Sequence, residues 1–256
     1  MSPAAGHKVS RLPAALRDGW NYPALRLQAA GVQTPVDALR SLGFSEDRLR
    51  AHAREFGSVA DGLYSGLSEA AAAAGAKEAA ERAFRPSPSS RDAKQLLYLA
   101  VRVLEPALVV ETGPFDGAAT TFLLAALDTN GSGRLISFDV PAAQDALGVP
   151  LPAGRDPGWL VPRELRGRFE LVLGDARKTL APRLAVEPAV DLFLHDSLHT
   201  FRHMLFEYRV AWRHLSAGAL LVSDDVFWNP AFWLFTKTHR VPFRHIGTVG
   251  LTRKRL

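Results

Sequence analysis

Between Leu108 and Val222, five short apolar runs alternate with stretches of helical period, and each run ends at an acidic residue. Leu108–Val110 is closed by Glu111 and Arg134–Phe138 by Asp139, while Phe169–Leu173 is followed by Gly174-Asp175-Ala176. Val190–Leu194 leads into His195-Asp196-Ser197, and Ala219–Val222 into Ser223-Asp224-Asp225. Apolar runs this short, bounded by turns, read as strands buried on both faces, and the βαβ alternation predicts a parallel sheet covered by helices on both sides. Ligands of such sheets bind beyond the carboxyl ends of the strands. A single acid there is an ordinary N-cap for the next helix. Acids at all five ends predict a negatively lined crevice, suited to a cation, a sulfonium group or ribose hydroxyls.

The first strand passes through Glu111, Gly113 and Gly117 into an Ala/Leu-rich helix ending near Leu127. Glycines let the backbone approach a ligand, and the first N–H groups of the new helix are free to meet it. The spacing is G-x-x-x-G with Pro114 inside, neither the G-x-G-x-x-G of dinucleotide folds nor a phosphate loop. A pyrophosphate would be poorly cradled here, and Glu111 favours a ligand that carries an ammonium or sulfonium group. A plain packing turn is the other reading.

The chain has 256 residues, 47% of them hydrophobic, which is enough for one large domain with an appendage. It has no cysteine, so thiolate metal sites and cysteine nucleophiles are excluded, and carboxylates and histidines remain for any metal. The first twenty residues lack a signal-peptide core and no run approaches the ~18 apolar residues of a membrane span. A cytoplasmic protein with no membrane partner is expected. The net charge of +5 is dispersed, so nucleic acid is not an expected partner.

Residues 1 to about 30 read as an extended arm with prolines at 3, 13 and 23. Thr34-Pro35-Val36-Asp37 predicts a helix start, Ser45 starts a second helix to about Phe56, and an alanine-rich third runs from about Val59 to Ala83. Pro86 to Ser90 predicts a boundary between a helical appendage, 1–88, and a main domain, 89–256. A helix from Ser90 to Leu104 then precedes the first strand. Proline-rich 141–168 reads as an ordered loop over the crevice. After a helix over Thr200–Leu215, with Met204, Phe206, Tyr208, Val210, Ala211 and Leu215 as core contacts, come a helix near Pro230–Thr238 and two closing strands, Phe243–Ile246 and Thr248–Arg253.

Glu111-Thr112-Gly113-x-x-x-Gly117, Asp139, Gly174-Asp175-Ala176, Asp191 to His199 and Asp224-Asp225 together resemble a class I S-adenosylmethionine-dependent methyltransferase. Within that superfamily the chain looks most like the bacterial O-methyltransferases that tailor antibiotics and sugars. The resemblance runs from about Ser90 to the end and does not cover the first helices. It implies an α/β, Rossmann-like fold with a seven-stranded, mainly parallel sheet whose last strand inserts antiparallel. It also implies that Glu111, Gly113 and Gly117 line the methionine end of the cofactor, with Phe115 and Asp196 among the other cofactor-binding residues. Asp139 would hold the ribose, and Asp175 with Ala176 would border the adenine.

In the metal-dependent relatives an aspartate after strand four and an acidic pair after strand five hold Mg²⁺, and Asp196, Asp224 and Asp225 stand in those places. Carboxylate oxygens suit such a hard cation, which would activate the acceptor hydroxyl. The other reading leaves Asp224 as a helix cap and the remaining acids as tuners of the field. His199, four residues beyond His195, is the candidate base for the acceptor proton, beside Asp196. His203, His214, His239 and His245 read as structural or surface residues. Trp228, Phe232 and Trp233 could wall the acceptor or simply pack. Small-molecule O-methylation is the first expectation; a non-catalytic cofactor-binding module and an RNA methyltransferase are the alternatives, and self-association as a homo-oligomer is left open.

Overall fold

The computed structural model describes residues 30–76, 88–141 and 151–255. The N-terminal arm up to residue 29, the predicted end of the alanine-rich helix, Pro86 and Ser87 of the proline-serine boundary and the first part of the long loop lie outside the described residues. Among the described residues eight strands form one sheet: β1 (Ala30–Gly31), β2 (Leu108–Thr112), β3 (Arg134–Asp139), β4 (Phe169–Leu173), β5 (Val190–His195), β6 (Leu215–Ser223), β7 (Arg244–Ile246) and β8 (Val249–Arg253). Their order is β1-β7-β8-β6-β5-β2-β3-β4. Strands β2 to β6 are mutually parallel where they pair, and β8 runs antiparallel between β6 and β7. The seven expected strands and the reversed last one are all present. The eighth, β1, pairs with β7 at the edge through Ala30 and Gly31, at the end of what the sequence presents as an extended arm. Two residues carry no periodicity to read.

The helices are α1 (Pro35–Arg40), α2 (Glu46–Ala73), α3 (Pro88–Leu104), α4 (Ala118–Asn130), α5 (Ala176–Leu184), α6 (Phe201–His214) and α7 (Ala231–His239). Thr34 caps α1 by accepting the Asp37 N–H, with proline at the first helical position. Helix α2 corrects the sequence reading, which divided it near Gly57. Gly57, Gly62 and Gly66 cost about 1 kcal/mol each in a helix interior, but a Cβ at any of them would meet open space. The opposite face buries Leu49, Phe56, Ala60, Tyr64, Leu67 and Ala71 at helical spacing. The Tyr64 ring lies 4.9 Å from Phe122 and the Phe56 ring 5.5 Å from Tyr98, so apolar burial outweighs the glycines. Arg102 of α3 grips Glu55 of α2 with Nε at 2.7 Å and Nη2 at 2.9 Å.

Two cores lie on the two faces of the sheet. One joins α1 to α4 with Val109, Leu192, Leu220 and Leu251, so the N-terminal helices share a core with the sheet. The other joins α5, α6 and α7 with Val110, Phe193 and Leu221. Phe232, one of the three aromatics after Asp225, is fully buried in that second core, whereas Trp228 stays 56% exposed.

Candidate active site

All five acids stand at the carboxyl edge of the sheet, and the turn after β2 sets the geometry there. Gly113 has φ +81°, and a Cβ on it would lie 2.1 Å from the Asp196 carbonyl oxygen. Gly117 has φ +93°, and its Cβ would lie 2.8 Å from Gly158 Cα. Both glycines are therefore required by backbone packing. The described part of the long loop locks onto the same turn: Gly158 N–H donates to the Phe115 carbonyl at 2.7 Å and Leu160 N–H to that of Asp116 at 2.9 Å. Phe115 itself has φ +48°, and its N–H donates to Asp139 Oδ2 at 3.2 Å.

Glu111 does not face the crevice. It is 1% exposed, and its Oε2 accepts from Thr120 Oγ1 at 2.9 Å and Ser137 Oγ at 2.6 Å, between β2, β3 and α4. Burial pushes its carboxyl up to about 7 against the hydroxyl bonds that favour the charged form. A folded-state pKa above the unfolded value means that this group stabilises the fold fully below about 4.5, and that the contribution is lost as pH rises through about 7. Glu111→Gln is therefore expected to flatten the decline in stability between pH 5 and 8 by roughly 3 kcal/mol. Urea melts across that range check it, and an unaltered pH slope would contradict it.

Asp139 ends β3, with Oδ1 accepting the Val140 N–H at 2.7 Å. Asp175 caps α5 by accepting the Arg177 N–H at 2.9 Å, and Ala176 is the first residue of that helix. The capping reading of an acid at a strand end thus describes Asp175. Asp196, after β5, is 36% exposed at the mouth of a cavity whose walls still strip it of solvation. Burial first, then repulsion from Asp224, Glu111 and Asp225, raise its carboxyl well above the usual range. Asp225 has φ +49° and is pushed up to about 6 by burial and by Asp224.

Asp196, Asp224 and Asp225 are the acids expected to hold Mg²⁺. Among the described residues no three or more His, Asp or Glu side chains are grouped to hold an ion. Asp224 Oδ1 is engaged by the Asp225 N–H at 2.8 Å and Thr248 Oγ1 at 3.0 Å. The cavity's cation is instead Lys94 of α3, which the sequence reading missed. Its signal was a lysine three and seven residues before the buried Leu97 and Val101, on the apolar stripe of its helix.

His199 stands where a base would act. Its Nε2 lies 3.8 Å from Asp196 Oδ1 and its Nδ1 4.0 Å from Asp225 Oδ2. Nε2 is buried and makes no hydrogen bond. Burial, then the neighbouring His195, lower its pKa to about 4, so the ring is neutral at pH 7. The exposed Trp228 ring lies 6.0 Å away.

Behind it is a second unforeseen feature. Glu207 of α6 is fully buried and accepts from His195 Nδ1 at 2.6 Å, His203 Nε2 at 2.7 Å, Thr112 Oγ1 at 2.6 Å and Ser197 Oγ at 3.0 Å. His203 is therefore a structural residue, as expected. His195, T-shaped against His199 with centroids 5.3 Å apart, belongs to this support.

Residues 110–226 match the model of a family described as a methyltransferase domain. Among solved structures, an O-methyltransferase from Streptomyces achromogenes, TomG, involved in tomaymycin synthesis and bound to S-adenosylmethionine, superposes with a TM-score of 0.55. It is 19% identical, over 75% of this chain and 90% of that one. An O-methyltransferase from Bacillus cereus, in complex with SAH, gives 0.52 at 16% identity over 74% and 91% of the two chains. A methyltransferase from Geobacter sulfurreducens gives 0.51 at 22% identity over 73% and 89%. None of the curated proteins matches this sequence. The structures share the fold.

Proposed function

We propose that the chain, whose residues 110–226 match a methyltransferase domain on the fold it shares with solved methyltransferases, is an S-adenosylmethionine-dependent methyltransferase that methylates a hydroxyl of a small molecule. The observation that carries this reading is the neutral, part-buried His199, its buried Nε2 without a hydrogen-bond partner, beside Asp196 after β5. The residues present suit the cofactor: an acid at the end of β3, a glycine turn beside it, and an adjoining cavity with charges of both signs. When bound, S-adenosylmethionine supplies a methyl group on a positively charged sulfur.

In the proposed reaction the acceptor oxygen forms a bond to that methyl as the sulfur–methyl bond breaks, and His199 Nε2 takes the hydroxyl proton. The imidazolium so formed is stabilised by Asp196 and Asp225, 3.8 and 4.0 Å away. Trp228 and the part-exposed Leu198 and Phe201 form the acceptor wall of this reading. Asp139 holds the ribose, Asp175 and Ala176 border the adenine, and the helices before residue 88 shape the acceptor side. The enzyme acts in the cytoplasm; among the described residues no helix is long and apolar enough to cross a membrane. Magnesium assistance finds no cluster of ligands among the described residues, and no step here runs through it.

Calorimetric titration of S-adenosylmethionine tests the premise. Asp139→Ala is expected to weaken binding roughly 10- to 100-fold, the loss of charge-assisted bonds to two hydroxyls. Unchanged affinity would remove Asp139 from the site, and no binding by the wild type would sink the cofactor reading. Transfer is then followed by mass spectrometry with panels of hydroxylated acceptors. Binding without transfer to any acceptor favours the non-catalytic module, and transfer to RNA favours the third reading.

A further inference from the structure

Past the glycine turn, the carboxyl edge of the sheet opens into a cavity of 240 Å³ between α3 and the ends of β5, β6 and β8. Leu97, Leu194 and Ile246 are among its apolar walls, and its charged groups are Lys94, Asp196 and Asp224. Lys94 Nζ donates to Ser90 Oγ at 2.6 Å and has no other hydrogen bond or ion pair among the described residues. An ammonium carries three donors, so two remain for a ligand. Burial holds Lys94 below the usual lysine range, while the charges of Asp116, Asp196 and Asp224 pull the other way. A lining with one cation opposite two carboxylates fits a ligand group that carries both signs side by side, which is the chemistry of an α-amino acid.

Sheet order supplies the ligand. Along the carboxyl edge, β4-β3-β2-β5-β6 places Asp175, Asp139, Gly113, Asp196 and Asp224 in sequence. An adenosyl ligand with its ribose at Asp139 and its sulfur over the glycine turn runs directly toward β5. At that point the Gly113 backbone touches Asp196, which also lines the cavity. Ala119, in the first turn of α4, adds only a methyl to that cavity, so α4 offers no side-chain donor to an anion there.

We propose that Lys94 binds the carboxylate of the cofactor's methionine end, with Asp196 facing its ammonium. The proposal rests on the cofactor reading given above. It makes α3, which precedes the glycine turn, a part of the cofactor site.

The test compares two probes that differ only at this end. S-Adenosylhomocysteine carries the amino-acid group; 5′-methylthioadenosine keeps the adenosine and the sulfur and lacks it. In calorimetric titrations Lys94→Met is expected to weaken S-adenosylhomocysteine roughly 10- to 100-fold and to leave methylthioadenosine unchanged. Lys94→Arg, which keeps the charge, is expected to retain most of the affinity. Retained methylthioadenosine binding certifies that each variant is folded, and Lys94→Gln replaces the methionine variant if that one fails to fold. Equal losses for both probes, or no loss for S-adenosylhomocysteine, overturn the proposal. Wild-type protein that binds neither probe refutes the cofactor reading and this assignment with it, whereas wild-type binding with an indifferent Lys94 refutes the assignment alone.

Discussion

His199→Ala is expected to lower turnover roughly 10²- to 10⁴-fold, the range for loss of a positioned general base, while the affinity for S-adenosylmethionine stays near that of the wild type. The separation follows from position. His199 lies four residues beyond the end of β5, on the Trp228 side, and the carboxylates beside it are Asp196 and Asp225, neither within hydrogen-bond distance. The pH profile adds an independent readout. Because burial and His195 bring the imidazole down to about 4, the wild-type rate should fall on the acid side near pH 4 and not near the 6.5 of a free histidine. An additional limb near pH 6 would belong to Asp225, whose carboxyl ionises there and whose charge favours the imidazolium. The variant should lose the limb near 4. A rate loss matched by an equal loss of cofactor affinity would make His199 a structural residue.

The largest stability effect is expected from Glu207→Ala: about 3–5 kcal/mol, the cost of removing one member of a buried ionic network. Four donors would be left without their acceptor: His195 Nδ1, His203 Nε2, Thr112 Oγ1 and Ser197 Oγ. Burial alone would raise the Glu207 carboxyl, but the charges and hydrogen bonds of His195 and His203 outweigh it and hold the group well below the usual range. A depressed folded-state pKa contributes stability that is present above the unfolded value of 4.5 and lost as pH falls below it. The variant should therefore unfold earlier in urea at pH 7 and differ less from the wild type in strong acid. Glu207→Gln, which keeps the shape and one acceptor, should lose less. A variant as stable as the wild type at pH 7 would mean that the network contributes nothing net.

What the sequence made legible follows the same physics. Strands covered on both faces are apolar through their middles, so Leu108–Val110 and Leu192–Leu194 stand out from the chain, and the acids that follow them, Glu111 and Asp196, are visible because those runs carry no charge. The crevice could thus be placed before any coordinates. Its supports could not, because Glu207 and Lys94 sit in helices where a charged residue ordinarily marks the solvent face. His203 and Glu207 stand four apart, a pairing visible in the sequence, but their burial depends on His195 and Thr112 arriving from two other strands. Helix α2 was divided in the reading because a glycine's backbone penalty is local and the aromatic contacts that offset it are not. Gly113 and Gly117 were singled out correctly as glycines, yet what fills the place of their side chains is backbone from Asp196 and Gly158, distant in sequence.

The flanks of the sheet also bear on how the molecule behaves among its own copies. An unpaired strand edge is a template for pairing with another chain. On one side β7 is covered by β1, with Val32 N–H adding a bond to the His245 carbonyl at 3.1 Å. On the other side β4 carries Glu170, held by both Nη2 contacts of Arg183 at 2.9 and 3.0 Å, so an incoming strand would have to bury a charged pair. Resistance to strand-by-strand stacking is thereby built into the β4 end of the sheet.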